Sequence, residues 1–218
     1  MAMDPNALIQ RDLKAVPGWA VVAFLTIMPL LVLPAAWLLR DRGMVVLLAA
    51  FFGSALLAIG LTMAPLGRQA LPALALGRMA WRSILVGTIG ALVVSFAVTR
   101  FGVEPQGVKE ALDVARGPGF FLESLVVMAI LAPLAEELVF RGLLYGWLAG
   151  RWGGSVAWLV SSLAFAAAHV EPAHAILVLP LGLWFGWLRR RFDSLWPSLV
   201  AHTANNGLAV VAATLLDV

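Results

Sequence analysis

Three short polar clusters interrupt the apolar second half of this chain, and their residue types are those of hydrolytic chemistry. The first is "EELVFR", with Glu136, Glu137 and Arg141. The second is "FAAAH", with Phe165 and His169, and the third is "HTANN", with His202 and Asn206. A carboxylate such as Glu136 can take a proton from water, and an imidazole such as His169 can orient that water or share the proton. A second imidazole and a carboxamide, His202 and Asn206, can donate hydrogen bonds to a carbonyl oxygen on which negative charge develops. These are the parts of a peptide or amide hydrolase that works without a covalent nucleophile. The chain has no cysteine, which removes thiolate chemistry and disulfides. It has no serine in a G-x-S-x-G setting and no H-E-x-x-H. Glu136, His169 and His202 are also a donor set that zinc accepts, so a metal-assisted version of the same hydrolysis stays open.

Each cluster has a plainer reading. Glu137 and Arg141 are four residues apart and share a helix face, which suits a structural ion pair. Glu136 points about 100° away from Glu137 and has no cation at helical spacing on its own face. Polar side chains such as His202 and Asn206 also join membrane helices by hydrogen bonds, and small residues such as the three alanines before His169 allow close packing. His174 and Asn205 carry no assigned role. What favours function is the combination. A group such as Glu136 costs at least about 2.5 kcal/mol in a bilayer centre and marks a site by default. Two of the three histidines sit in apolar runs, each with a motif partner on its own face.

The elements that must position these groups are membrane helices. The 218 residues are 62% hydrophobic and 12% charged, against about 45–50% apolar and about 25% charged in an ordinary soluble domain. A soluble fold of this size cannot hide so much apolar surface. Uncharged runs cover residues 19–39, 43–67 and 83–99. A fourth, kinked segment begins near Phe120 and contains Pro133, and three more cover 152–170, 172–188 and 195–216. The spacing predicts an all-α polytopic transmembrane bundle with about seven or eight spans. β-Barrels are excluded, since the runs lack period-2 alternation. The polar stretch "EPQGVKEALDVARGPG" between the third and fourth runs has room for one short amphipathic helix. The net charge is +3, and the basic residues punctuate apolar runs, which reads as topology and not as nucleic-acid binding.

With seven spans and the N-terminus inside, Arg11, Lys14, Arg68, Arg78, Arg82, Arg151 and Arg189–Arg191 fall inside. Arg40, Arg42, Arg100, Lys109 and Arg116 fall outside. That bias supports a cytoplasmic N-terminus, and the compact build suits a bacterial-type plasma membrane. One feature resists straight spans: His169 then lies near the outer end of its helix while Glu136 and His202 lie toward the inner side, so either the fifth segment is tilted or re-entrant or the fourth segment crosses a different number of times. A proton-relaying transporter is a competing reading of buried Glu and His, but transporters tend to show inverted repeats, and here the polar groups crowd into one half.

The three motifs, in this order, resemble the CAAX-protease and bacteriocin-processing family, the relatives of the Rce1-type prenyl-protein endopeptidase. The family pattern is E-E-x-x-x-R, then F-x-x-x-H, then H-x-x-x-N or H-x-x-x-D. The resemblance covers residues 118–216, taken as a catalytic core. Residues 1–117 are N-terminal transmembrane helices without an identified motif, and the two form one structural unit. The resemblance implies a helical membrane bundle in which Glu136 activates water with help from His169. It gives His202 and Asn206 the oxyanion, and Glu137, Arg141 and Phe165 supporting places. It also implies a membrane-associated peptide or lipidated protein as substrate, with membrane lipid as the surrounding partner. Some members of the family act in bacteriocin immunity, so a non-enzymatic immunity or scaffolding protein is the alternative. Both glutamate and divalent-metal mechanisms have been attached to the family, and the motifs alone do not choose between them.

Overall fold

The computed structural model describes residues 15–215 except Arg78, Val103, Glu104 and Pro118. Arg11, Lys14 and Arg78, used in the charge comparison, lie outside the described residues. Every regular element among the described residues is helical. Helix α1 is Gly18–Leu39 and turns through Gly43 into α2, Met44–Met63. A 3-10 stretch, Ala64–Gln69, and a single turn, Ala70–Ala73, continue α2. Helix α3 is Trp81–Thr99. Leu25, Leu30, Leu33 and Trp37 on α1 and Ile89, Val93 and Phe96 on α3 are exposed, as residues facing lipid must be.

The predicted amphipathic piece is α4, Gln106–Arg116. Helix α5, residues 121–152, is one long rod with two π-helical stretches, Leu125–Leu131 and Leu138–Leu144. Between them lies a short α-helical piece, Ala132–Glu137, that opens on Pro133. Pro133 lacks the N–H that an i→i−4 bond needs, and π-turns are where a helix absorbs such a gap. Helix α6 is Gly154–Ala167, α7 is Pro172–Phe192 and α8 is Trp196–Leu215. Helix α8 is central and packs on α3, α5 and α7, while α6 lies along α7.

The expectation of seven or eight spans is not met. Among the described residues three helical segments are both long and apolar enough to cross a membrane: Gly18–Leu39, Met44–Ala73 and Trp81–Thr99. The segments counted as later spans fail for physical reasons. Helix α5 carries Glu123, Glu136, Glu137 and Arg141 and is divided by π-turns. Helix α6 has only 14 residues. Helix α7 ends on Arg189, Arg190 and Arg191, and α8 carries His202, Asn205 and Asn206. The protein is an all-α, integral membrane bundle in which three apolar helices accompany a more polar C-terminal half.

The short α6 accounts for the depth problem of His169. At about 1.5 Å per residue it rises only about 21 Å, so its C-terminal end stops at the level of groups midway along its neighbours. Close approach to α7 comes from Gly182 and Gly186. A Cβ at Gly182 would stand 2.9 Å from Phe165, and one at Gly186 2.7 Å from Ser162 Oγ and 2.8 Å from the Trp158 ring. Small residues four apart let helix backbones meet in this way. The contact is sealed by Trp158 Nε1 donating to the Leu183 carbonyl at 2.9 Å and Ser162 Oγ donating to the Gly182 carbonyl at 2.9 Å.

Candidate active site

The site is assembled on α5 around two adjacent carboxylates with different surroundings. Glu137 and Arg141 are both 0% exposed, with Arg141 Nη1 donating to Glu137 Oε1 at 3.0 Å. The guanidinium is held from three further directions. Its Nη2 donates to the Gly182 carbonyl at 2.9 Å, and it lies over the Phe165 ring at 4.2 Å and the Phe185 ring at 5.6 Å. A buried charge is tolerable only when it is paired and hydrogen-bonded in this way. Arg189 adds a brace from α7, its Nε donating to the Arg141 carbonyl at 3.1 Å.

Glu137 also orients His202. The Nδ1 of His202 is 3.0 Å from Glu137 Oε1. An ionised carboxylate can only accept, so Nδ1 carries the hydrogen and Nε2 is the free nitrogen of the neutral ring. That nitrogen faces Glu136 Oε2 at 3.5 Å. The imidazole is fixed by Phe185 stacked on it at 4.7 Å and by the edge of Phe165 at 5.8 Å. Glu136 itself is 19% exposed. It is therefore the carboxylate of the pair that reaches accessible space, as its different helical face requires.

His169 stands at the end of α6 with its ring edge-on to Phe165 at 4.9 Å. Its Nδ1 is 2.9 Å from the Phe165 carbonyl and so carries the hydrogen, leaving Nε2 unengaged by that bond. It lies within electrostatic reach of Glu136. Asn206 is one helical turn beyond His202, and one N–H of its amide is spent on the Met128 carbonyl at 3.1 Å. Asn205 leans on the Asn206 oxygen at 3.5 Å. Seven residues singled out from sequence, Glu136, Glu137, Arg141, Phe165, His169, His202 and Asn206, thus fall in one contiguous region. The spacing did not announce the Glu137–His202 bond, which joins residues 65 apart. Nor did it announce Phe185, whose only sequence signal is its place between Gly182 and Gly186, or His174, whose ring meets His169 at 4.4 Å.

The proposed metal set does not converge. Among the described residues no three His, Cys, Asp or Glu groups are placed to hold one ion.

Over residues 118–208 the chain matches the family described as type II CAAX prenyl endopeptidase Rce1-like. Through this region, which holds all three polar motifs, the chain is similar to the Rce1-like family. The buried Glu–His cluster lies wholly inside the matched residues. The chain is 27% identical over 118 residues to "Putative membrane peptidase YdiL" of Bacillus subtilis (strain 168), covering 54% of this chain and 47% of that one. It is 30% identical over 92 residues to "UPF0177 protein YxdF" of Lactococcus lactis subsp. lactis (strain IL1403), covering 42% of this chain and 50% of that one. The chain spans about half the length of these curated relatives, both bacterial. No solved structure matches it.

Proposed function

We propose that this protein hydrolyses a peptide bond in a membrane-associated peptide or lipidated protein, using water activated by Glu136. The observation that carries the reading is the contrast between the two carboxylates. Glu137 is sealed and spends its charge on Arg141 and His202, whereas Glu136 is partly exposed and faces the free nitrogen of that same imidazole. In this scheme a water molecule beside Glu136 gives up a proton to the carboxylate as its oxygen attacks the substrate carbonyl. His169, with Nδ1–H held by Phe165, offers Nε2 to orient that water. The proton then moves from Glu136 to His202 Nε2, and the resulting imidazolium is stabilised by Glu137. The amide N–H of Asn206 not engaged by Met128 faces the oxyanion as it develops, and the new Nε2–H joins it once the tetrahedral intermediate has formed. The proton finally passes to the leaving amine. No step in this scheme needs a metal.

The N-terminus is assigned to the cytoplasmic side. Arg151 and Arg189–Arg191 lie toward the same end of the bundle as Ala15, which approaches Gly150, while Arg190 approaches Gly154. Residues 15–102 then serve as the membrane anchor of the C-terminal catalytic region.

The test uses purified full-length protein in nanodiscs, offered membrane-presented peptides with and without a C-terminal prenylated cysteine. Glu136→Gln keeps the shape and removes the base. It should lower turnover by about 10²–10⁴-fold while melting at the temperature of the wild type. A chelator should leave wild-type turnover unchanged. Wild-type turnover by a well-folded Glu136→Gln protein overturns the assignment of Glu136, and absence of turnover by the wild type returns the chain to an immunity or scaffolding role.

A further inference from the structure

The turn that carries His169 is strained, and a distant helix is fastened to it. Val170 has φ 59, a left-handed conformation that a β-branched residue reaches only under constraint. It is 87% exposed, so packing of its own side chain does not hold it there. The next residue, Glu171, reaches across to the start of α4. Its Oε1 accepts the Gln106 N–H at 2.8 Å and its Oε2 accepts the Gly107 N–H at 3.2 Å. Helix α4 has no side-chain cap from its own N-cap residue, Pro105. Glu171 fills that place from another part of the chain, satisfying two free amides and facing the positive end of the helix. At its other end α4 is tied down by Arg116, whose Nε donates to the Ala213 carbonyl of α8 at 2.7 Å. The helix is therefore a strap with two fixed points, one of them two residues from His169. The ring of His169 is in turn gripped from both sides of the strained turn, by Phe165 on α6 and by His174 on α7.

We propose that Glu171 is a positioning residue, which by anchoring its turn to the N-terminus of α4 holds the His169 ring in its orientation beside Glu136. This rests on the peptidase reading above. If the anchor is lost, the Val170 turn relaxes and His169 samples other orientations, while the buried Glu137–Arg141–His202 group on the far side of Phe165 stays in place. Two perturbations reach the same anchor from opposite ends. Glu171→Ala removes both acceptors. Gln106→Pro removes one donor at a first-turn position where proline is favourable to the helix.

The experiment reads turnover and histidine nuclear magnetic resonance on the same full-length samples. The chain has three histidines, so selective 15N labelling resolves His169, His174 and His202 individually. Glu171→Ala should lower kcat about tenfold with KM changed less than about twofold, since an orienting group acts in the transition state. Gln106→Pro should lower kcat about threefold, and the double variant should be no slower than Glu171→Ala alone. The His169 ring signals should shift and broaden in Glu171→Ala while those of His202 stay put. Glu171→Asp, if it regains one of the two bonds, should recover part of both effects. Unmoved His169 signals in Glu171→Ala, or a kcat loss wholly accounted for by a lower folded fraction, overturn the proposal. If the wild type cleaves no peptide but the His169 signals still respond, the peptidase reading fails and the anchoring stands.

Discussion

Replacing Arg141 by alanine tests the buried framework on which the site depends. Arg141 and Glu137 are both fully buried and 3.0 Å apart, and removing one partner of such a pair typically costs about 3–5 kcal/mol because the other charge is left unpaired. The lost bond to the Gly182 carbonyl adds little, since Ser162 Oγ also donates to that oxygen at 2.9 Å. The bond from His202 to Glu137 at 3.0 Å survives, which favours the lower half of that range. At about 2–4 °C per kcal/mol for a chain of this size, the melting temperature should fall by roughly 6–16 °C. A double variant separates charge from packing. Arg141→Met with Glu137→Gln fills the space between Phe165 and Phe185 with an apolar chain, keeps an acceptor for His202 Nδ1–H, and leaves no buried charge. It should recover most of the loss, whereas Glu137→Gln alone should be destabilised by its stranded guanidinium. The assay is a thermal melt of these proteins and of Arg141→Met in one detergent and lipid mixture, with the coupling energy taken from the cycle of wild type, Arg141→Met, Glu137→Gln and their double variant. An Arg141→Ala protein that melts with the wild type, or a double variant no better than the worse single one, refutes the reasoning.

Two further outcomes follow from particular contacts. Gly186→Ala puts a methyl group 2.7 Å from Ser162 Oγ and 2.8 Å from a Trp158 ring that is itself hydrogen-bonded to Leu183. It should destabilise the α6–α7 contact by about 1–3 kcal/mol, read as a lower melting temperature. An unchanged melt would show that α6 yields freely. Asn206→Ala should retain measurable cleavage at a rate lowered about a hundredfold, about 3 kcal/mol, as when one oxyanion donor is removed. A wild-type rate would confine Asn206 to its structural bond with Met128.

How much of this was legible beforehand differs by kind of interaction. Helices, their order and the polar motifs are written in local periodicity, and the Glu137–Arg141 pair is an i,i+4 relation that any helical reading finds. An uninterrupted apolar run is not by itself a membrane span, which is why the sequence suggests more crossings than the helices supply. Residues 152–170 contain a helix of only 14 residues, and residues 172–188 and 195–216 belong to helices whose arginines, histidine and asparagines make them too polar to meet the same standard as α1 to α3. The π-turns on either side of Ala132–Glu137 have no signature beyond Pro133. The contacts that give the site its character, His202 to Glu137, Phe185 on His202, His174 on His169 and Glu171 on α4, join residues on different helices. Periodicity within one segment is blind to them.

The adjacent glutamates show why the second kind of information decides function. As sequence they are one dipeptide; as structure they are separated by the angular step of a helix. Glu137 pairs with Arg141 of its own helix and with His202 of α8, and Phe165 and Phe185 close around those two partners. Glu136 turns toward space that remains 19% accessible. A buried carboxylate committed to an arginine has little basicity left to offer, and one open to water but unsupported has no partner for the proton it takes. Sharing His202 between them joins the two conditions: one carboxylate fixes the ring, and the other faces its free nitrogen. Exchange of the pair is therefore asymmetric. Loss of Glu136 should remove chemistry from an intact fold, while loss of Glu137 should disturb the fold and the chemistry together, because the same oxygen holds both Arg141 and His202 at 3.0 Å.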